Sequence, residues 1–461
     1  MAYDEQYLAR LRDRAWFVPG RDALRISDPT VFAEDRRAPL SGRGTRFSWY
    51  RPGELLVRVD ADPELPRYLA DNDVQRRRPD DPDHWRTAGD RRVDERLDAT
   101  LAEAAGVELW TTAPDADLPR LIQGARRRRL ADRRDVTLNH VAFGEPNGKY
   151  MGGPGSVPTR ADRPVLPQWF GAAESAQVDL AVLDTGLPVD WSARGSQYRL
   201  QGVIRPDDLT GSHEWDLLDE NGNSDLDRQA AHGLFICGLV SRHAPELRID
   251  PAQVLHPDGS GDEVEIITQG LATVTAPVVN LSLGCYTDDN RPPPALAEAV
   301  QRLLDRGVVV VAAAGNNGRD PDYRGRRFFP AAMCGVIGVG AYDSRADPPI
   351  AADFSNRGTW VDVWAPGVEL VSDYVPDWRV PSPDWSDPSE PPPGDEPPAG
   401  SSTAFVHWSG TSFAAPLVAA EIARRVRSDP TASATIVEDF LDGLPFDPVF
   451  GRMYAAGDYT V

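Results

Sequence analysis

The sequence predicts an α/β protein built on a doubly wound parallel sheet, with a smaller α+β region ahead of it. Three observations carry that expectation. Residues 178–183, 278–283, 308–314 and 336–341 are short, nearly unbroken apolar runs, the pattern of strands buried on both faces. Helical stretches at 263–272 and 294–306 lie between them, and the second stops at Gly307. Ahead of residue 144 strands and helices alternate on a smaller scale, and 145–167, rich in Gly and Pro and without periodicity, separates the two parts. The expected organisation is an N-terminal α+β region over 1–144, a linker over 145–167 and an α/β domain over 168–461.

In chain order, 1–45 is Arg-rich with one weak helical stretch at 7–17. A strand is expected at 54–59 and a loop at 79–84. Over 91–105 Val93, Leu97, Leu101 and Ala104 share one helical face, and Gly106 supplies the stop. A strand at 107–110, a helix at 118–130 and a strand at 136–143 follow, with the run Arg126 to Arg129 reading as a solvated helix end. In the larger domain 373–400 is acidic and heavy in proline, and is expected to be a long surface loop.

The 461 residues carry a formal net charge of −22, which opposes binding to nucleic acid or to an anionic membrane surface. No stretch of about 18 apolar residues is present, and residues 1–7 are too polar for a secretory leader, so a cytoplasmic location is expected. Cys237, Cys285 and Cys334 each lie in or beside an apolar run and read as buried thiols, not as a disulfide framework.

The chemistry gathers around Ser409-Gly410-Thr411-Ser412-Phe413-Ala414-Ala415-Pro416, which runs into the mostly apolar 417–422. Gly410 permits a tight turn, and Ser412 enters the first turn of a buried helix, where unpaired amides and the helix dipole favour negative charge. Pro416 is expected to mark that same first turn. A serine nucleophile needs a base, a carboxylate to orient the base, and donors for an oxyanion. Asp184 ends the run 178–183 ahead of Thr185-Gly186, and His232 opens an apolar helical stretch with Gly233. Asn316 follows 308–314 and carries an amide able to donate beside the backbone N–H of Ser412.

Asp184-Thr185-Gly186, His232-Gly233, Ala313-Ala314-Gly315-Asn316 and Gly410-Thr411-Ser412-Phe413-Ala414-Ala415-Pro416 resemble the motifs of the subtilisin-like serine proteases, the subtilases. The order Asp, His, Ser agrees with that family. The resemblance implies a serine endopeptidase in which Ser412 attacks, His232 moves the proton, Asp184 orients the imidazole, and Asn316 with the Ser412 amide holds the oxyanion. It further implies that Gly259-Ser260-Gly261 and Ser282-Leu283-Gly284 pair with a substrate strand and that Ala314-Gly315 walls the primary specificity pocket. Phe354-Ser355-Asn356-Arg357-Gly358 and Ala365-Pro366-Gly367 match in scaffold roles. No cofactor is required by the resemblance, which allows structural calcium without assigning it to particular residues of this chain. Leu234, Cys285 and Phe328-Phe329-Pro330 depart from the pattern and alter the shape of the pocket.

The N-terminal region is similar to the inhibitory, folding-assisting prodomains of the same family. Two roles are open to it: restraint of the protease in cis, with 145–167 lying in the cleft along Ser282 to Gly284 through Gly152 and Gly153, or recruitment of a target. The expected partners are protein or peptide substrates. Asp258, Asp262 and Glu263 either select basic residues ahead of the cleaved bond or form a solvated acidic loop. The alternative from another class is a pseudoprotease that keeps the fold to bind peptides, against which the intact set Asp184, His232, Asn316 and Ser412 argues. An esterase of the α/β-hydrolase type is disfavoured by the missing Gly-x-Ser-x-Gly elbow.

Overall fold

The computed structural model describes residues 48, 50–77, 91–113, 116–144, 158–161, 177–188, 191, 200, 203–204, 216, 218, 226–227, 229–257, 259–321, 323, 325–375, 404–427 and 433–456. The helix expected at 7–17, the loop at 79–84, Gly152, Gly153, Asp258 and most of 373–400 lie outside the described residues. The chain divides into two units. One runs to Ala142 and takes in Gly261–Ala272 and Cys285–Arg302, and the other comprises Phe143–Ser260, Thr273–Gly284 and Leu303–Val461.

The sheet of the first unit has the order Gln75–Arg76, Val107–Thr111, Tyr50–Arg58, Val136–Phe143, Ser260–Asp262. Tyr50–Arg58 is antiparallel to both of its neighbours. Leu55 and Val57 alternate onto one face of it, where Leu138, Trp110 and the helical residues Leu65, Leu69, Leu118 and Ile122 close a small core. The helix Arg91–Ala105 stops at Gly106, whose φ of +66° is the left-handed turn that glycine accepts without strain.

Asp262 and Glu263 are not the acidic substrate-facing surface considered above, because both are buried and engaged inside this unit. Asp262 caps the short helix Glu263–Glu265 through a capping box and accepts from Arg51 Nε at 2.6 Å. Arg51 also reaches Glu265 at 3.3 Å. One oxygen of Glu263 accepts from the backbone N–H of His140 at 3.0 Å and lies 2.8 Å from its Nδ1, while the other accepts from the Leu296 N–H at 3.0 Å. The expected helix at 263–272 is this one turn followed by a wide π-helical turn, Ile266–Gly270, and a 3₁₀ turn, Leu271–Thr273.

In the second unit the main sheet runs Phe446–Asp447, Gly451–Met453, Val363–Pro366, Ile337–Asp343, Val309–Ala313, Val278–Leu281, Leu180–Asp184, Ile249–Gln253. From Val363–Pro366 to Ile249–Gln253 every pairing is parallel. Strand order therefore reverses between Leu180–Asp184 and Val278–Leu281, and at such a switch point the carboxyl ends of the strands open a crevice. The helix Thr411–Val426 is buried on all sides until Arg424 and packs across Val278–Leu281, Val309–Ala313 and Ile337–Asp343 and against the helix His232–His243.

Several expectations are corrected. Pro416 stands in the second turn of Thr411–Val426, not the first. Having no N–H, it leaves the Ser412 carbonyl outside the helical ladder, and that carbonyl accepts from Ser282 Oγ at 2.7 Å. The 145–167 stretch contains a strand, Thr159–Arg160, which joins Leu370–Tyr374 and Ala404–Trp408 in an antiparallel sheet. Asp373 is a buried residue of Leu370–Tyr374, so the proline-rich stretch starts later than expected. Cys237 and Cys285 are buried, but Cys334 is exposed on the turn that precedes Ile337–Asp343. Among the described residues no helix is long and apolar enough to cross a membrane.

Replacing Arg51 by Ala would remove the buried guanidinium that Asp262 and Glu265 face. Arg51→Ala is expected to cost about 3–5 kcal/mol, read as a lowered denaturant midpoint, and an unchanged midpoint would contradict the pairing.

Candidate active site

Asp184 is the last residue of Leu180–Asp184 and His232 the first of His232–His243, so the switch point brings a strand end and a helix start together. Gly233 is what permits the approach: a Cβ there would stand 2.4 Å from the carbonyl oxygen of Gly186. His232 Nδ1 lies 2.7 Å from Asp184 Oδ1, which also accepts from the Thr185 N–H at 2.8 Å. A carboxylate only accepts, so Nδ1 carries the proton and Nε2 is the basic nitrogen. The imidazole packs against Trp408 and Phe413 with ring centroids 5.2 and 5.1 Å away, an apolar setting that keeps the pair dry.

Asp216, which no sequence motif marks, ties these pieces together. Its Oδ2 accepts from the Ala231 N–H at 2.6 Å and from Thr185 Oγ1 at 2.9 Å, and its Oδ1 from the Leu218 N–H at 2.9 Å. Ala231 has φ +62°, a strained conformation for alanine, held directly before His232. Thr185 Oγ1 in turn accepts from the Gly233 N–H at 3.0 Å. Burial pushes the Asp216 carboxyl up to about 7, opposed by these three donors.

On the other side, Gly410 is the N-cap of Thr411–Val426 and Ser412 its second residue. Asn316 Oδ1 accepts from both the N–H and Oγ1 of Thr411 at 2.9 Å, which sets the orientation of the amide and leaves Nδ2 as its donor. Thr411 Oγ1 accepts from the Gly315 N–H at 3.0 Å, and Asn356 Nδ2 donates to the Ala314 carbonyl at 2.7 Å, so Ala314 and Gly315 are held from both sides. The ring of buried Phe328 lies against two glycines. A Cβ on Gly284 would meet it at 2.5 Å and one on Gly315 at 3.0 Å, so this aromatic side chain fills the space beside the wall assigned to the pocket.

A short strand lies in the cleft. The N–H and C=O of Phe143 exchange hydrogen bonds with Gly284, both at 2.9 Å, and the Gly144 N–H donates to Gly259 at 2.9 Å. Ser412 Oγ donates to the Gly144 carbonyl at 3.1 Å, with the Ser282 carbonyl at 3.4 Å as a second acceptor. Of the six edge residues expected from sequence, Gly259 and Gly284 pair this strand and Ser282 contacts Ser412. Ser260 and Gly261 lie in Ser260–Asp262, and Leu283 is buried. The residue against Gly284 is thus Phe143, with Gly144 on Gly259, directly ahead of the stretch expected there. Among the described residues no group of three or more His, Cys, Asp or Glu is placed to hold a metal ion.

The sequence pattern of the Subtilase family matches residues 175–441, more than half of the chain. This chain belongs to the subtilase family. It is 35% identical over 216 residues to a thermophilic serine proteinase of Bacillus sp. (strain AK1), a match covering 44% of this chain and 47% of that protein. It is 28% identical over 216 residues to the major intracellular serine protease of Bacillus subtilis (strain 168), covering 44% and 62%. The chain thus spans less than two thirds of either relative. Fervidolysin from Fervidobacterium pennivorans, a keratinolytic enzyme related to subtilisin, has a structure with TM-score 0.51 and 18% identity, covering 90% of this chain and 61% of fervidolysin. That likeness concerns the fold alone.

Asp216 gives a pH signature. Its folded value, about 7, lies above the ordinary 3.8, so its contribution to stability is full below pH 3.8 and is lost as pH rises toward 7. Asp216→Asn should destabilise the fold, since one donor loses its acceptor. The gap in unfolding free energy between the wild type and this variant should shrink from pH 4 to pH 7, whereas a gap independent of pH would contradict a buried, titrating Asp216.

Proposed function

We propose that the chain is a serine endopeptidase acting on protein or peptide substrates and restrained by its own Phe143 and Gly144. One observation supports this most: Ser412 Oγ donates to a peptide carbonyl, that of Gly144, in a strand paired to Gly259 and Gly284. A substrate strand in that place offers its carbonyl carbon to Ser412. His232 Nε2 takes the hydroxyl proton as Oγ bonds to the carbon, and Asp184 stabilises the imidazolium. Charge developing on the carbonyl oxygen is met by Asn316 Nδ2 and the Ser412 N–H at the helix start. The imidazolium then protonates the leaving amine as the C–N bond breaks. Water, deprotonated by the same nitrogen, releases the acyl group and regenerates Ser412.

The pairing of Phe143 and Gly144 with Gly284 and Gly259 supports the proposed restraint. Pairing through backbone groups needs little sequence complementarity, so the end of the N-terminal region occupies the groove that a substrate needs. A cytoplasmic setting is part of the proposal, and the match to a protein named as an intracellular serine protease supports it.

Ser412→Ala should lower kcat for peptide hydrolysis on the order of 10⁶, the scale known for loss of the subtilisin nucleophile. Asn316→Ala should lower kcat roughly 10²–10³ with little change in KM. Hydrolysis by Ser412→Ala near the wild-type rate, or an Asn316 effect confined to KM, would refute these roles.

A further inference from the structure

We propose that Gln229 reads the substrate residue seated at the place of Gly144 and favours serine there, a specificity that rests on the peptidase reading above. Gln229 is 1% exposed, and neither its Oε1 nor its Nε2 has a hydrogen-bond partner among the described residues. Its backbone is fixed: the N–H donates to Pro257 at 2.8 Å, and the carbonyl accepts from the His232 N–H at 3.0 Å. The side chain runs along Gly259, where an added Cβ would meet Cγ at 2.5 Å. Gly259 is the residue that holds the Gly144 N–H, so stem and strand are in register.

The amide ends beside Gly144. A Cβ built on Gly144 would lie 3.7 Å from Gln229 Oε1, 3.8 Å from His232 Cε1 and 3.2 Å from Leu255 Cδ1. A hydroxyl oxygen one bond beyond that Cβ can come within hydrogen-bond distance of Oε1, roughly 2.5–3.0 Å. Larger side chains press on Leu255. Alanine already requires the Leu255 side chain to give by a few tenths of an ångström and leaves the amide unpaired, and a buried polar group without a partner carries its full desolvation penalty. Serine therefore adds little bulk beyond the Cβ and gives Gln229 Oε1 a donor.

Two measurements on the full chain test this. In a Ser412→Ala background, which removes turnover from the comparison, Gly144→Ser should unfold about 1–2 °C above Gly144→Ala, and adding Gln229→Leu should erase the difference. Alanine is the reference because it restricts the unfolded chain much as serine does. An alanine variant as stable as the serine one, or a difference that survives Gln229→Leu, would overturn the proposal. With the wild-type chain, peptides carrying Ser at the matching position should be cleaved about fivefold faster than their Ala counterparts in kcat/KM, and Gln229→Leu should level the two. A complete lack of turnover would overturn the peptidase reading alone, since the unfolding comparison requires no turnover.

Discussion

Parallel strands share one direction, so all their carboxyl ends meet at one edge of a sheet. Where the order reverses, between Leu180–Asp184 and Val278–Leu281, the carboxyl ends of the strands open a crevice. Asp184 stands on one lip and Ser282 just beyond the other. The helices His232–His243 and Thr411–Val426, packed on each other, then deliver their first residues into the same opening. Without the reversal Asp184, His232 and Ser412 would have no common place to meet.

Precision comes from backbone groups that the regular elements leave over. Pro416 frees the Ser412 carbonyl for Ser282, and Asn280 Nδ2 donates to Ser282 Oγ at 3.0 Å, so Ser412 is tied to the opposite lip. Asp216 does the same for His232 by taking the N–H of Ala231 and the hydroxyl of Thr185. Such contacts fix side chains through rigid neighbours, which is how a catalytic group is held near its productive geometry before substrate arrives.

Much of this was legible in the sequence, for physical reasons. Strands buried on both faces must be apolar throughout, so the four central runs stood out, and Asp184, Asn316 and Ser412 announced themselves by ending runs or opening a helix. Ile249–Gln253 was missed because Asp250 and Pro251 break its apolar character, which an edge strand tolerates. Val363–Pro366 hides behind a Trp and a Pro. Asp262 was misread because its partner, Arg51, is 211 residues away. Asp216 and Gln229 matter only through what the fold places beside them, and no local pattern records that. Phe143 ends a strand that was expected and Gly144 follows it, but their position against Gly284 and Gly259 is a tertiary fact.

The central claim is that His232 activates Ser412 while Phe143 and Gly144 cover it. The most direct measurement is the rate at which a fluorophosphonate labels the full chain, with the adduct located by mass spectrometry. Labelling should fall on Ser412 alone, disappear in His232→Ala, and quicken in Gly144→Pro, which removes the N–H that Gly259 holds. An adduct on another residue, labelling that persists without His232, or a rate indifferent to Gly144→Pro would contradict it.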